Sequence, residues 1–161
     1  MMPQTVRFIT VGSLKESYLR EAVAEYRKRL SGLCRVEEVE LKEARLPEDP
    51  SPAEVQAALA SEAKAILAAI PARSYPVALC VEGVKLSSPA LTEKLQDVCR
   101  VTGSLCFIIG SSHGLSEEVK RAANVRLSMG RITMPHQLAR LVLTEQIYRA
   151  CTINAGMKYH K

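Results

Sequence analysis

Five side chains near the C-terminal end of the sequence could act together on one ligand. Tyr159, His160 and Lys161 close the chain, and they follow a long helical pattern that contains Tyr148 and Arg149. Aromatic rings stack on nucleobases, while arginine and lysine neutralise phosphate. The terminal residues of most domains are frayed and carry little chemistry. This segment is therefore predicted to hold a nucleobase and its phosphates.

A second candidate site is the turn Gly110-Ser111-Ser112-His113-Gly114, which follows a fully apolar run. Parallel α/β sheets bind ligands just beyond the carboxyl ends of their strands, and glycine permits the close backbone approach that this requires. The pattern is neither G-x-G-x-x-G nor a P-loop, so neither a dinucleotide nor a nucleoside triphosphate is indicated. An ordinary tight turn is the alternative. A serine hydrolase is disfavoured because no G-x-S-x-G elbow surrounds the two serines.

The positive charge of the chain is concentrated in its last third. The net charge is +5, and residues 1–110 carry fourteen basic and fourteen acidic side chains, whereas residues 111–161 carry eight basic and three acidic ones. A basic surface on one side of a protein is typical of a polyanion-binding protein. A solvated basic helix face is the alternative that charge alone leaves open.

Strand and helix patterns alternate along the chain, and this alternation predicts the fold class. Short β-branched or apolar runs predict strands at 5–11, 35–41, 76–81, 104–109 and 125–128. Apolar positions at helical spacing predict helices that begin near Ser13, Ser51, Ser88, Ser116 and Pro135. We therefore expect a single α/β domain over residues 1–161, with a mostly parallel sheet and helices on both faces.

The last predicted helix, from Pro135 to about Ala155, is apolar on two sides. One stripe contains Leu138, Leu141, Val142 and Tyr148, and the other contains Leu143, Ile147 and Cys151. A helix that is apolar on two sides packs against two surfaces. The sequence predicts that one surface is the sheet of its own chain and the other a second subunit of a homodimer.

The composition limits which classes of protein the chain can belong to. A chain of 161 residues that is 47% apolar can bury a proper core. No apolar run is long enough to span a membrane, and the N-terminus does not resemble a signal peptide, so we expect a cytoplasmic protein without a membrane partner. The five cysteines are scattered and form no C-x-x-C pair. Neither a disulfide framework nor a metal site is expected from them.

The C-terminal third resembles the signature of a known family. The run FIIGSSHGLSEEVKRAANVRLSMGRITMPHQLARLVLTEQIYRACTINAGMKYHK, which covers residues 107–161, is similar to the ribosomal RNA large subunit methyltransferase H family. These proteins are small members of the SPOUT, or trefoil-knotted, methyltransferases. The resemblance extends over the whole chain and is densest over residues 135–148 and at Tyr159-His160.

The resemblance implies a deep trefoil knot within roughly residues 76–161, a rare exception to unknotted topology. It also implies a homodimer, S-adenosylmethionine as cofactor and no metal. The implied target is N3 of pseudouridine 1915 in the 23S rRNA of assembled ribosomes. By position, the cofactor would contact residues that follow three neighbouring predicted strands, namely Leu79, Gly110, Met129, Gly130, Arg131, Ile132, Thr133 and Met134.

This activity suggests catalytic roles for the C-terminal side chains. The N3 proton of pseudouridine must leave before the nitrogen can attack the methyl group, and His160 is the predicted proton acceptor. Arg149 or the hydroxyl of Tyr159 would stabilise the negative charge that develops on the base. The alternative is that His160 and Tyr159 only stack on the base or order the terminus. One subunit offers little basic surface for an rRNA stem-loop, so we expect each tail to act at the cofactor of the neighbouring subunit.

The sequence departs from the usual family pattern in two places. Ser111 stands where the family usually has a second glycine, with His113 where a small or acidic residue is usual, and Lys158 and Lys161 replace a proline and an arginine. The first change could slightly reshape the turn at residues 110–114, and the second loses a rigid turn and bidentate phosphate geometry. Two other functions stay open: a SPOUT methyltransferase that acts on tRNA, and a non-catalytic RNA-binding module in ribosome maturation.

Overall fold

A five-stranded parallel sheet forms the centre of the fold in the computed structural model, which describes residues 2–161. The strands, in the spatial order β2-β1-β4-β3-β5, are β1 (Thr5–Val11), β2 (Arg35–Leu41), β3 (Tyr75–Lys85), β4 (Ser104–Ile109) and β5 (Val125–Ser128). All four strand pairings are parallel. The predicted α/β class with a parallel sheet is confirmed.

Helices cover both faces of this sheet. They are α1 (Ser17–Ser31), α2 (Pro52–Ala69), α3 (Ser88–Cys99), α4 (Glu117–Ala122) and α5 (His136–Asn154). Side chains of α1, α3 and α5 share one apolar core with one face of the sheet. Side chains of α2 and α4 form a second core on the other face. Because successive side chains of a strand point to opposite faces, β1 places Phe8 in the first core and Ile9 in the second.

Three helices begin where the sequence predicts, each at a serine. The hydroxyl oxygens of Ser51, Ser87 and Ser116 accept hydrogen bonds from backbone N–H groups in the first turns of α2, α3 and α4. At α2 the full capping box forms, with the Glu54 carboxylate accepting from the backbone N–H of Ser51 at 3.1 Å. These caps satisfy donors that a helix start otherwise leaves unpaired.

The predicted start of α1 at Ser13 is wrong. The helix begins at Ser17, and its N-cap residue Glu16 makes no capping hydrogen bond through its side chain. Tertiary contacts hold the preceding residues in a loop: Leu14 is buried, and Arg20 donates to the carbonyl of Lys15 at 2.6 Å. The burial of Leu14 thus outweighs a local capping pattern.

Strand β3 is longer than its apolar run, and this extension brings it close to β5. Val84 pairs with Leu127 after a register shift that follows Leu79. A Cβ atom on Gly83 would lie 2.7 Å from the backbone of Arg126, so only glycine permits this approach.

The threading of a trefoil knot through residues 76–161 stays a prediction. Within the described residues, no helix is long and apolar enough to cross a membrane.

A buried arginine joins α5 to the edge strand β2. The guanidinium of Arg140, whose side chain is 6% exposed, forms ion pairs with the carboxylates of Glu38 and Glu40. Arg27 of α1 also pairs with Glu38. The network ties the start of the last helix to a strand about one hundred residues earlier, so it fixes the position of α5 on the sheet.

The Arg140→Ala variant should lose about 3 kcal/mol of unfolding free energy, because it leaves buried carboxylate charge with less compensation. Urea unfolding at a fixed protein concentration measures this loss. The matched control is Arg29→Ala, which breaks an exposed pair with Glu25 on α1 and should cost less than about 0.5 kcal/mol. Equal losses in the two variants would contradict a structural role for Arg140.

Candidate active site

The turn after β4 is built around a glycine that tolerates no side chain. The N–H of Gly114 donates to the carbonyl of Ser111 at 2.9 Å, which closes the turn. A Cβ atom on Gly110 would lie 2.2 Å from the carbonyl oxygen of Gly114. Gly114 itself has a φ of +82°, a conformation that favours glycine. Both glycines of the predicted motif are therefore required by the geometry of the turn.

Ser111 is a structural residue and not a nucleophile. Its side chain is buried, and its hydroxyl donates to Oε1 of Glu62 at 3.3 Å. The other oxygen of Glu62 accepts from the backbone N–H of Ala44 at 2.9 Å. His113 is exposed and makes no hydrogen bond to Ser111. A buried carboxylate on α2 thus accommodates the serine that departs from the family pattern, and the arrangement is not that of a hydrolase.

The segment of residues 129–134, which we call the cofactor loop, follows β5, and β3 separates β5 from β4 in the sheet. Gly130 adopts a φ of +125°, and its N–H donates to the hydroxyl oxygen of Ser128 at 3.2 Å. Arg131, Ile132 and Thr133 are exposed, whereas Met129 and Met134 are half-buried. Ile132 is 82% exposed, which is unusual for a large apolar side chain next to a core.

The predicted cofactor residues come together at one edge of the sheet. Strands β4, β3 and β5 are neighbours and parallel, so their carboxyl ends lie side by side. Leu79 is half-buried in β3, Gly110 follows β4, and the cofactor loop follows β5. Apolar side chains that are partly exposed, together with tight backbone turns, suit an adenosine and its attached amino acid. Within residues 2–161, no group of three or more His, Cys, Asp or Glu side chains could hold a metal ion.

The three predicted catalytic side chains also meet, in what we call the tail cluster: Glu145, Tyr148, Arg149, Tyr159 and His160. Nη2 of Arg149 lies 2.5 Å from Oε1 of Glu145, and Nη1 of Arg149 lies 3.1 Å from Nδ1 of His160. The hydroxyl of Tyr159 donates to the same Glu145 oxygen at 3.0 Å. Glu145 therefore organises the cluster, although its sequence pattern gives no sign of this role.

Tyr159 is packed into its own chain. Its ring meets that of Tyr148 edge-on, with centroids 4.8 Å apart, and the Arg149 guanidinium lies 4.9 Å from its centroid. Burial, followed by hydrogen bonds with Tyr26 and Glu145, raises the pKa of Tyr159 above its usual value. The hydroxyl stays protonated at neutral pH and is already engaged. Tyr159 anchors the tail, whereas His160 is exposed.

The tail cluster and the cofactor loop of one chain lie at opposite ends of α5. From His136 to Arg149 the helix rises about 20 Å, at 1.5 Å per residue. Tyr26, which lies in the second half of α1, contacts Tyr148 with ring centroids 6.2 Å apart. Since α1 runs back from the end of β1, the tail cluster lies towards the amino edge of the sheet. One chain therefore does not bring its own tail to its own cofactor loop.

The two apolar stripes of α5 differ in how deeply they are buried. Leu143, Ile147 and Cys151 are fully buried in the core, and Tyr148 is buried beside them. Leu138 is 39% exposed, and Leu141 and Val142 are only half-buried. The exposed stripe lies near the cofactor loop, at the first half of the helix. This surface is the one that a second subunit could cover.

Half of the basic side chains in the last third are paired within the chain. Lys120, Arg126, Arg140 and Arg149 form ion pairs with carboxylates. Among the described residues, the basic side chains of this third without an ion pair are Arg121, Arg131, Lys158 and Lys161, and all four are exposed. The charge available to a polyanion is therefore smaller than the sequence count and is concentrated at the cofactor loop, α4 and the tail.

Comparisons with known proteins identify the fold and the family of the chain. The family model described as predicted SPOUT methyltransferase matches residues 4–160. Among solved structures, the fold is similar to a methylase family protein from Neisseria gonorrhoeae (TM-score 0.52, 18% identity, 99% of this chain and 87% of that chain). It is also similar to a tRNA (m1G37) methyltransferase from Aquifex aeolicus (TM-score 0.52, 15% identity, 90% of this chain and 69% of that chain). At these identities the two structures support the fold alone.

Sequence relatives are much more similar. A protein from Ligilactobacillus salivarius is 46% identical over 157 residues, which cover 97% of this chain and 99% of that protein. One from Leuconostoc mesenteroides is 47% identical over 158 residues, with the same coverage. Both are named ribosomal RNA large subunit methyltransferase H. The chain therefore belongs to the SPOUT methyltransferases and, within them, to the ribosomal RNA large subunit methyltransferase H family.

Proposed function

We propose that the protein is a homodimeric, S-adenosylmethionine-dependent methyltransferase that modifies N3 of pseudouridine 1915 in the 23S rRNA of assembled ribosomes, in the cytoplasm. The observation that carries this proposal is the pairing of two half-sites at opposite ends of α5. One is a glycine turn beside an exposed loop, and the other is a cationic cluster that ends in an imidazole. The near full-length relatives named as rRNA methyltransferases support the same substrate class.

The residues of the first half-site would hold the cofactor. When bound, S-adenosylmethionine supplies a methyl group that its positive sulfur has already activated. Gly110 keeps the strand end open, Leu79 offers an apolar wall, and the loop side chains close over the ligand. Ile132, which is exposed in the free chain, would become covered. The contribution of these residues is to orient the ligand and to exclude water.

The second half-site would hold the base. Lys158 and Lys161 would provide positive charge for an rRNA stem-loop, and His160, in contact with Arg149, would meet the base. Tyr159 fixes the tail through Glu145 and its packing on Tyr148. Because the two half-sites of one chain are separated by the length of α5, the tail of one subunit would act at the cofactor loop of its partner.

The exposed half of α5 supports such a dimer. Leu138, Leu141 and Val142 form an apolar stripe next to the cofactor loop, where a partner would bring its tail. Leu138, which is 39% exposed, is the suitable position for disrupting the interface. Leu141 packs against the buried cluster of Leu14, Leu19 and Val23 in its own chain. Leu143, which the two-stripe pattern also suggests, is only 1% exposed and belongs to the core, so its replacement would unfold the chain.

Gly110→Ala should remove cofactor binding, because the added Cβ atom collides with the carbonyl oxygen of Gly114 and displaces the turn. For the wild-type protein, ligand at 100 times its Kd should stabilise the fold by about 2.7 kcal/mol, and the variant should show no shift in Tm. Gly32→Ala is the control, because its Cβ atom would make an ordinary 3.4 Å contact at the end of α1. Normal binding by Gly110→Ala would exclude this turn from the cofactor site.

The substrate can be identified by transfer of a labelled methyl group to intact ribosomes, free 23S rRNA or tRNA, followed by nucleoside analysis. We expect N3-methylpseudouridine in 23S rRNA, with intact ribosomes as the preferred substrate. Methylated tRNA would instead support the tRNA-modifying alternative. If no RNA accepts methyl groups and the protein does not bind S-adenosylmethionine, a non-catalytic RNA-binding module is the better description.

The composite site can be tested with mixed dimers of two inactive subunits, Gly110→Ala and His160→Ala, purified through two different tags. His160→Ala homodimers should bind the cofactor normally and fail to methylate. A mixed dimer contains one intact loop facing one intact tail, so it should recover about half of the wild-type activity. If each site is formed within one subunit, mixed dimers will be inactive. A fully active Leu138→Arg monomer would also refute the composite site.

A further inference from the structure

We propose that His160 acts as a hydrogen-bond donor, through its Nε2–H, to a carbonyl oxygen of the target base, and that Glu145 and Arg149 hold it in the tautomer that this requires. The inference rests on the proposed function. It replaces the role of proton acceptor that the sequence analysis assigned to His160, and it gives Glu145 a positioning role.

The contact between Arg149 and His160 selects the tautomer. Nη1 of Arg149 lies 3.1 Å from Nδ1 of His160. A guanidinium has donors only and keeps its charge in proteins, so Nδ1 must supply the lone pair. A neutral imidazole that accepts at Nδ1 carries its hydrogen on Nε2. A doubly protonated ring would turn an N–H towards the arginine and lose the contact.

Glu145 fixes the arginine in the position that makes this contact. Its Oε1 accepts from Nη2 of Arg149 at 2.5 Å, and the two side chains are only 16% and 24% exposed. The hydrogen bond from Arg149 to Glu145 raises the pKa of the arginine, so the guanidinium stays a donor at every relevant pH. With Nη2 held by the carboxylate, Nη1 points at the imidazole.

The other members of the cluster are already committed within the chain. Tyr159 donates its hydroxyl to Glu145, and its ring is covered by Tyr148 and Arg149. The titratable and charged groups around the imidazole come from three parts of the chain. The tail cluster contributes Arg149, Glu145 and Tyr159, and α1 contributes Tyr26 and Arg29. Lys158 and Lys161 are close to His160 in the sequence. His160 is exposed, and among residues 2–161 no group is hydrogen-bonded to its Nε2. Nε2–H is therefore the donor that faces outward.

A hydrogen-bond donor at the base is consistent with the proton and electron balance of methyl transfer. The N3 proton of the base leaves to water, and the resulting negative charge spreads over the two flanking carbonyl oxygens. A hydrogen bond from Nε2–H stabilises that charge. The N3 lone pair then bonds to the methyl carbon while the carbon–sulfur bond breaks and its electron pair stays on sulfur. The negative base and the positive sulfur are neutralised together, so no protein group has to accept a proton during the transfer.

The decisive comparison is His160→Gln with His160→Ala in single-turnover methylation of ribosomes. A glutamine amide can donate a hydrogen bond but cannot serve as a base at neutral pH. We expect His160→Gln to keep the rate within about tenfold of wild type and His160→Ala to lose at least about a hundredfold. Between pH 7 and 8.5 the wild type and His160→Gln should show the same rise in rate. A glutamine variant as inactive as the alanine variant would overturn the inference.

The positioning role of Glu145 has a readout that does not depend on activity. Nitrogen-15 NMR of the imidazole in the free full-length protein distinguishes the two tautomers, and we expect the wild type to carry its hydrogen on Nε2. Glu145→Gln should yield a mixture of tautomers with unchanged cofactor affinity. Glu25→Gln, which alters the comparable pair with Arg29 on α1, should leave the tautomer unchanged. A wild-type hydrogen on Nδ1 would refute the proposal.

These measurements separate the inference from the proposed function. If the wild-type protein transfers no methyl group to ribosomes, the proposed function and the inference fail together. If it transfers methyl groups but His160→Gln and His160→Ala are equally inactive, only the inference fails, and His160 returns to the role of proton acceptor.

Discussion

The rigid length of α5 is the constraint on which the candidate site depends. The helix begins at His136, next to the cofactor loop, and passes Arg149 about 20 Å later. Leu143 and Ile147 are fully buried along this path, and truncating such side chains costs about 2–5 kcal/mol. The Arg140 ion pairs hold the same helix to β2. The packing of α5 therefore keeps the cofactor loop and the tail cluster of one chain apart, and this separation is the reason for proposing a composite site.

The tail is ordered by a few well-satisfied contacts and not by secondary structure. Ordering a chain end costs conformational entropy, about 1–2 kcal/mol for each residue. Tyr159 offsets this cost by burying its ring on Tyr148 and by donating its hydroxyl to Glu145. The arrangement leaves His160 one residue beyond the anchor, exposed but oriented through Arg149. A preorganised donor loses little further entropy when it meets a base, which is the condition for effective electrostatic stabilisation.

Much of the fold could be predicted from the sequence because its local signals agree with its packing. The apolar run at 104–109 and the capping box at Ser51 both form as expected. The start of α1 could not be predicted, since burial of Leu14 and hydrogen bonds from Arg20 overrule the pattern at Ser13. For the tail cluster, the sequence predicted the aromatic, imidazole and cationic side chains that the structure brings together. It could not identify Glu145, because an acidic residue four positions before an arginine is ordinary on any helix surface.

The same limitation explains why the charge count overstated the free positive charge, and why the role of His160 stays a prediction. A sequence shows which side chains are basic but not which carboxylates neutralise them, and half of the basic side chains in the last third are paired internally. It likewise shows an imidazole but not which of its nitrogens is occupied. Glu145 bears on both questions in the tail: it pairs with Arg149, whose Nη1 lies 3.1 Å from Nδ1 of His160. One carboxylate inside a basic cluster lowers its net charge, and under the proposed function it would exchange a diffuse attraction for RNA for a directed hydrogen bond.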